Sequence, residues 1–307
     1  MSKIRFKKWL AIPTVLVVVL SLFSFSEPGK RYFDIANDIL GVNIQNITFN
    51  GPDEMLKMTK YTQPAIFIVS TIISALLIQK GYKPDGVAGH SLGEYSALVA
   101  AQGIDFRTGL ELVKIRAEGM AKAGEDNPGT MAAILGLNMV SITKLVEKIS
   151  TDQLIVAANH NTENQIVVSG TIKAVQKFTE IAKEHGAKMA IPLSVSGAFH
   201  SPLMRPARQE LADKLDSIQI SNIDIPLYSN FNAKPTMNGS EIKKSLINQL
   251  ENPVLWFDSI NNMSDSGFSL FTEIGPGKIL KGLNKKINKD LDTKNIELYE
   301  EFISYEI

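Results

Sequence analysis

Gly89-His90-Ser91-Leu92-Gly93 sets a serine midway between two glycines. The run before it, Lys83 to Ala88, reads as a short strand, and the run after it, Glu94 to Ala101, as a helix. Strand, G-x-S-x-G, helix is the pattern of a nucleophile elbow, in which the glycines allow a sharp turn with the hydroxyl at its apex. Ser91 then stands at a helix N-terminus, where free backbone N–H groups and the helix dipole favour negative charge. Acyl transfer needs such a place for its oxyanion. The pentapeptide alone also fits an ordinary turn; the flanking strand and helix favour the elbow.

A serine hydroxyl is a weak nucleophile until a base takes its proton, and imidazole titrates in the right range. The chain has four histidines: His90, His160, His185 and His200. His90 adjoins Ser91, and neighbours at a sharp turn point apart. His160 lies in the polar run Asn159-His160-Asn161 and is expected to face solvent. His185 precedes Gly186 at a helix end, where a cation meets the negative pole of the dipole. His200, in Gly197-Ala198-Phe199-His200-Ser201, follows a strand and precedes a helix. Loops at that edge of an α/β sheet collect catalytic groups, so His200 is the expected base. Arg116 is the second unusual residue. Leu112, Val113 and Met120 lie on its face of the helix Phe106 to Ala121, which turns the guanidinium inward. A buried cation costs several kcal/mol unless paired. A substrate carboxylate held in bidentate fashion would pair it. A snorkelling arginine at the helix edge is equally compatible with the local pattern.

The elements that must position these residues follow from periodicity. Tyr32 to Leu40 and Gln63 to Leu77 have helical spacing, the second apolar nearly all round and therefore a buried helix. Between residues 127 and 195 the order is strand, helix, strand, strand, helix, strand, the βαββαβ ferredoxin-like unit. After it come a helix over Pro202 to Ile218, a strand at Pro226 to Ser229, helices over Gly239 to Leu250 and Phe257 to Met263, a strand at Phe268 to Ile274 and a helix over Ile279 to Ile287. The expected fold is α/β: a large domain with a parallel sheet, residues 31–126 and 196–290, interrupted by a small subdomain, 127–195, and ended by a tail, 291–307.

Composition narrows the function. The chain has 307 residues, 44% hydrophobic and 21% charged, enough for a well-buried core. With 32 basic and 32 acidic side chains the formal charge is zero, which argues against nucleic acid as a partner. The absence of cysteine excludes disulfides, thiolate nucleophiles and thiolate metal sites. No spacing such as H-E-x-x-H occurs, so no catalytic metal is expected. Residues 1–30 stand apart. Lys3, Arg5, Lys7 and Lys8 precede an apolar run from Trp9 to Phe23, the pattern of a signal peptide or membrane anchor, with Ser24-Phe25-Ser26 as a candidate cleavage site. A buried parallel strand over Val15 to Leu20 is the alternative. Membrane contact is expected through this leader alone.

Taken in order, Gly89-His90-Ser91-Leu92-Gly93-Glu94-Tyr95-Ser96-Ala97-Leu98, Arg116 and Gly197-Ala198-Phe199-His200-Ser201 closely resemble the malonyl-CoA:acyl-carrier-protein transacylases. Thr62-Gln63-Pro64-Ala65, Asn248 to Trp256 and Glu273 to Lys278 extend the resemblance, which runs from about Tyr32 to about Leu283. It implies an α/β-hydrolase-like large domain with a ferredoxin-like insert. It further implies that Ser91 takes the malonyl group, that His200 is the base, and that the backbone carbonyl of Gln249, not a carboxylate, orients His200. Arg116 would clamp the malonyl carboxylate, the Leu92 N–H would donate to the oxyanion, and Leu92 and Phe199 match the malonyl-selective pattern. No cofactor is implied, coenzyme A thioester being a substrate, and the partners are malonyl-CoA and acyl carrier protein in the cytoplasm. The family's N-terminal Gly-Gln-Gly-Ser-Gln loop, which carries a second oxyanion donor, has the basic, apolar leader in its place. Two alternatives stand beside fatty-acid synthesis: a stand-alone acyltransferase loading a polyketide synthase, which the sequence separates poorly from it, and, because of that departure, a weakened, non-catalytic relative that binds carrier protein.

Overall fold

A computed structural model describes residues 24–150 and 153–306 of the chain. Ser26 starts α1 (Glu27–Leu40), the first helix that lies wholly within the described residues: its hydroxyl accepts the Gly29 N–H at 3.1 Å, and Gly41 closes the helix at φ 67°. The helix thus begins five residues before Tyr32, because the cap and Pro28 in the first turn favour it there. Residues 27–30 therefore belong to the folded body, which shortens the expected leader of residues 1–30; the apolar run Trp9 to Phe23 lies outside the described residues. Two short helices, α2 (Ile44–Asn50) and α3 (Asp53–Leu56), lead to α4 (Thr59–Gln79). Helix α4 is long and apolar enough to cross a membrane, yet 72% of its apolar window is buried inside the protein. It is the central helix of the core, packed through Phe67, Ile68, Ile72 and Ile73.

A two-residue strand, β1 (Val87–Ala88), leads through the Ser91 turn into α5 (Gly93–Ala100). Asp105 then caps α6 (Phe106–Asp126), accepting the Thr108 N–H at 2.7 Å. Next come β2 (Gly129–Leu135), α7 (Met139–Ile149), β3 (Ile155–Thr162), β4 (Gln165–Thr171), α8 (Ile172–Glu184) and β5 (Met189–Pro192). Their sheet is antiparallel in the order β3-β4-β2-β5, and the two helices close a separate core of Ile134, Ile142, Leu145, Val168, Val175 and Phe178. Strand β3 runs beyond the expected end at Ala158, so His160 is not in an exposed loop. It is 8% exposed, and its Nδ1 lies 2.9 Å from an Asp258 carboxylate oxygen. The cause is tertiary: His160 N–H donates to Val254 O, and Val254 N–H to Ala158 O, both at 2.9 Å, so the segment after Gln249 covers this strand end.

The helix expected over 202–218 is divided into a 3-10 turn (Pro202–Met204) and α9 (Arg205–Asp216), with Pro206 in the first turn of α9. Strand β6 (Leu227–Tyr228) pairs in parallel with β1, Val87 opposite Leu227, and antiparallel with β7 (Pro235–Thr236). Then follow α10 (Gly239–Gln249), α11 (Trp256–Asp265), β8 (Leu270–Ile274), α12 (Ile279–Ile287), β9 (Asp292–Ile296) and α13 (Tyr299–Ile303). Of the expected tail 291–307, residues 291–306 are therefore part of the folded body. Strand β9 pairs in parallel with β8 in full register, and Ile296, Phe302 and Tyr305 enter the main core. Asp292-Thr-Lys-Asn-Ile carries little apolar alternation, and its pairing rather than its pattern makes it a strand. Among the described residues the large body holds two sheet pieces, β1-β6-β7 and β8-β9, instead of one continuous parallel sheet. The fold is α/β.

Candidate active site

The turn at Ser91 is tight because Gly89 makes it so. A Cβ on Gly89 would stand 2.0 Å from both the carbon and the oxygen of the Gly93 carbonyl. Ser91 itself has φ 53°, a left-handed conformation that costs a serine about 1–3 kcal/mol. Asn230, two residues past β6, holds the strained turn from both ends. Its Oδ1 accepts the Ser91 N–H and its Nδ2 donates to Gly89 O, each at 2.6 Å. The parallel pairing of β1 and β6 brings Asn230 there from 139 residues away. Gly89→Ala should remove the turn and destabilise the fold by at least about 3 kcal/mol, because backbone rather than a pliable side chain blocks the methyl. Thermal unfolding reads this; a midpoint equal to that of the unaltered protein would contradict the account.

Ser91 Oγ lies 2.8 Å from His200 Nε2. On the far side of the ring, His200 Nδ1 lies 2.9 Å from the backbone oxygen of Gln249. A carbonyl only accepts, so Nδ1 carries the proton and Nε2 is left to accept from the serine hydroxyl. The imidazole is 3% exposed. Burial first, and then the charge of Arg116, push its pKa down to about 3, so the ring is neutral throughout the physiological range. His200 sits at φ 55°, just ahead of the 3-10 turn, where Ser201 accepts the Leu203 N–H. The serine, the imidazole and the carbonyl form a relay whose third member is uncharged.

Arg116 reaches the same hydroxyl from α6. It is 1% exposed. Its Nη1 donates to Gln63 Oε1 at 2.5 Å, and its Nη2 to Ser91 Oγ at 2.8 Å and to Gln249 Oε1 at 3.0 Å. The guanidinium lies over the Tyr95 ring, 5.7 Å from its centroid. Burial lowers its pKa. Among the described residues it makes no ion pair. Amide oxygens orient this cation without neutralising it, and it adjoins the nucleophile. The snorkelling arginine of the sequence reading does not occur.

The other residues singled out fall into two groups. Leu92 precedes α5, and its N–H belongs to the first-turn donors that no intrahelical carbonyl reaches. Phe199, half-buried, packs against both the main core and the other face of the small sheet, formed by Met131, Ala133, Ala158 and Val167, beside His200. His90 is turned away from the serine: its Nε2 lies 2.9 Å from Asn161 Oδ1. His185 ends α8 with Nδ1 2.9 Å from Ile181 O. Gln63, Asn230, Glu94 and the side chain of Gln249 were not singled out by chemistry in the sequence. Gln63 and Glu94 stood in the matching motifs, but their polar partners lie across the fold. Among the described residues no three His, Cys, Asp or Glu side chains are grouped as a metal site would need.

The chain matches the acyl transferase domain family over residues 34–300. It is 43% identical over 273 residues to the malonyl CoA-acyl carrier protein transacylase of Bacillus subtilis, covering 89% of this chain and 86% of that protein. To the Escherichia coli protein of the same name it is 40% identical, covering 84% of each. The solved structure of the Coxiella burnetii malonyl CoA-acyl carrier protein transacylase superposes with a TM-score of 0.89 at 33% identity, covering 94% of this chain and 91% of that one. A malonyl-transacylase in complex with its type II PKS acyl-carrier protein gives the same TM-score, 0.89, at 34% identity, covering 93% of each. Fold, serine turn and a likeness over most of the chain agree: the chain belongs to the acyl transferase family and, within it, to the malonyl CoA-acyl carrier protein transacylases.

Proposed function

We propose that this protein moves the malonyl group from malonyl-CoA to the phosphopantetheine thiol of acyl carrier protein through an ester on Ser91. The observation that carries this reading is the position of Arg116, a buried cation that makes no ion pair among the described residues, 2.8 Å from the Ser91 hydroxyl. A free carboxylate on the acyl group supplies the missing counter-charge and leaves the thioester carbon over Ser91 Oγ.

His200 Nε2 takes the serine proton as Oγ attacks the thioester carbonyl. The tetrahedral oxyanion forms beside the Leu92 N–H at the start of α5. The intermediate collapses with cleavage of the carbon–sulfur bond, and the proton on Nε2 passes to the departing CoA sulfur. Gln249 O holds the Nδ1 proton throughout, so the imidazolium formed in passing is oriented and stabilised by a dipole. In the second half-reaction His200 deprotonates the carrier thiol, the thiolate attacks the malonyl ester, and Ser91 recovers its proton. The malonyl carboxylate stays with Arg116 in both halves, with Phe199 at the wall of the site. The chemistry calls for no metal or cofactor, and its substrates place the enzyme in the cytoplasm. In this reading residues 31–126 and 196–290 form the catalytic body, with β9 and α13 completing it, and residues 127–195 are a cap on it.

Carrier proteins of fatty-acid and polyketide synthesis present the same thiol, and the type II PKS complex has a transacylase of this fold. A purely carrier-binding role would not require the Ser91–His200 contact or a charged Arg116. Incubation of malonyl-loaded enzyme with holo acyl carrier protein should move the acyl group to the carrier and return the enzyme to its starting mass. Apo carrier, which lacks the thiol, should leave the ester in place. Retention of the ester in the presence of holo carrier would contradict the transfer step.

A further inference from the structure

Glu94 has no part in the chemistry above, yet it lies fully buried directly behind the nucleophile. Its Oε2 accepts two hydrogen bonds, from Asn230 N–H at 3.2 Å and from Gln249 Nε2 at 2.7 Å. Gln249 Nε2 also donates to Ser91 O at 2.9 Å, and Gln249 Oε1 accepts from Arg116 Nη2 at 3.0 Å. We infer that Glu94 is a positioning residue for substrate recognition: it fixes the direction of the Gln249 side-chain amide and so holds Arg116 against Ser91. This role rests on Arg116 as the carboxylate clamp.

An amide has one accepting end and one donating end, and its neighbours decide which way it faces. Two acceptors, Glu94 Oε2 and Ser91 O, surround the nitrogen of Gln249. The oxygen must then face Arg116. Were the amide reversed, its N–H groups would meet the guanidinium donors, and its oxygen would face both Ser91 O and Glu94 Oε2 in a water-free site, leaving buried polar groups unsatisfied. Interposing Gln249 between Glu94 and Arg116 has a second consequence. Direct pairing would fill the guanidinium fork with the protein's own carboxylate; with the amide between them Glu94 acts on Arg116 only through its field, and the fork is oriented without a carboxylate oxygen on it.

The titration of Glu94 is compatible with this role. Burial pushes its pKa up to about 7. The Ser229 hydroxyl also lies close enough to lower that pKa, and among the described residues Oε1 accepts no hydrogen bond of normal geometry, so a proton there leaves both acceptor contacts of Oε2 in place. What matters is therefore an acceptor at Oε2, with or without charge. The same glutamine links the two halves of the site, because its backbone oxygen holds His200 while its side chain holds Arg116.

The test compares Glu94→Gln, which keeps an acceptor at that position, with Glu94→Met, which has similar bulk and no comparable acceptor. Glu94→Gln should keep KM for malonyl-CoA within about threefold of the unaltered enzyme. Glu94→Met should raise it about tenfold with kcat within about threefold, and should narrow the preference for malonyl-CoA over acetyl-CoA. Loss of thermal stability shared equally by both variants, with that preference unchanged in Glu94→Met, would show a merely structural role and overturn the inference. A Glu94→Gln as impaired as Glu94→Met would overturn it too, by showing that charge and not acceptor geometry is needed. A ligand-free crystal structure of Glu94→Met gives a readout independent of activity: Arg116 Nη2 leaves Gln249 Oε1 if the inference holds, and stays there if it does not. Failure of the unaltered enzyme to load malonyl at all would count against the functional reading, while the crystal structure would still decide the role of Glu94.

Discussion

His200→Asn should slow the loading of Ser91 by about 10³-fold, and Ser91→Ala should end covalent loading altogether. Asparagine is the better probe at position 200, because the residue sits at φ 55°, where alanine is strained and asparagine is tolerated. The loss follows from the contact geometry. With Nε2 gone, the 2.8 Å acceptor for the Ser91 proton is gone, and the alkoxide would have to form beside Arg116 with its proton released to water. The two residues act as one unit, so the double variant should be no slower than Ser91→Ala in overall turnover. Single-turnover kinetics with malonyl-CoA measures each step. Loading of Ser91 in His200→Asn at the rate of the unaltered enzyme would mean that the serine does not depend on His200, contrary to the account. Acidification should not imitate the His200 variant near pH 6, because the folded imidazole is already neutral there.

The second large effect concerns selection of the acyl group. Arg116→Ala should raise KM for malonyl-CoA about 10²-fold while acetyl-CoA, which lacks the distal carboxylate, is used at least as well as before. A charge-assisted pair in a dry site is worth a few kcal/mol, and each 1.4 kcal/mol is about tenfold. Arg116→Lys should lie between, since an ammonium cannot reproduce the planar fork that meets Gln63, Gln249 and Ser91 together. Truncation also leaves the oxygens of Gln63 and Gln249 unpaired, so part of the loss is structural. The ratio of malonyl to acetyl use removes that part, because both substrates meet the same damaged site. An unchanged ratio in Arg116→Ala would remove Arg116 from substrate recognition.

What the sequence disclosed here follows from the range of each interaction. Ser91 and His200 stood out because each sits in a local context that its own neighbours define, two glycines and a loop between strand and helix, whereas the inward helix face of Arg116 left a snorkelling arginine equally open and only the family resemblance chose the clamp. Gln249 was legible through the family resemblance, and then for its backbone alone. Asn230 carried no local signal, since its task is to hold a turn 139 residues away. Gln63 and Glu94 were visible inside matching motifs, but their partners lie 53 and 155 residues distant. Local charge patterning misread His160, because polar residues around it suggested solvent when Asp258 and the segment at Val254 cover it. The C-terminal strand was missed for the same reason in reverse: β9 has a polar pattern and depends on β8 for its extended form. Helix boundaries moved where a side chain decided them, as Ser26 did for α1 and Pro206 for α9.

All of these roles require malonyl to be captured by one hydroxyl. Mass spectrometry of the protein after brief incubation with malonyl-CoA, followed by peptide mapping, reads that event directly. The account predicts a single malonyl addition confined to the peptide carrying Ser91, lost in Ser91→Ala and reversed by free CoA. An unmodified protein, or an adduct on any other residue that survives in Ser91→Ala, would contradict it.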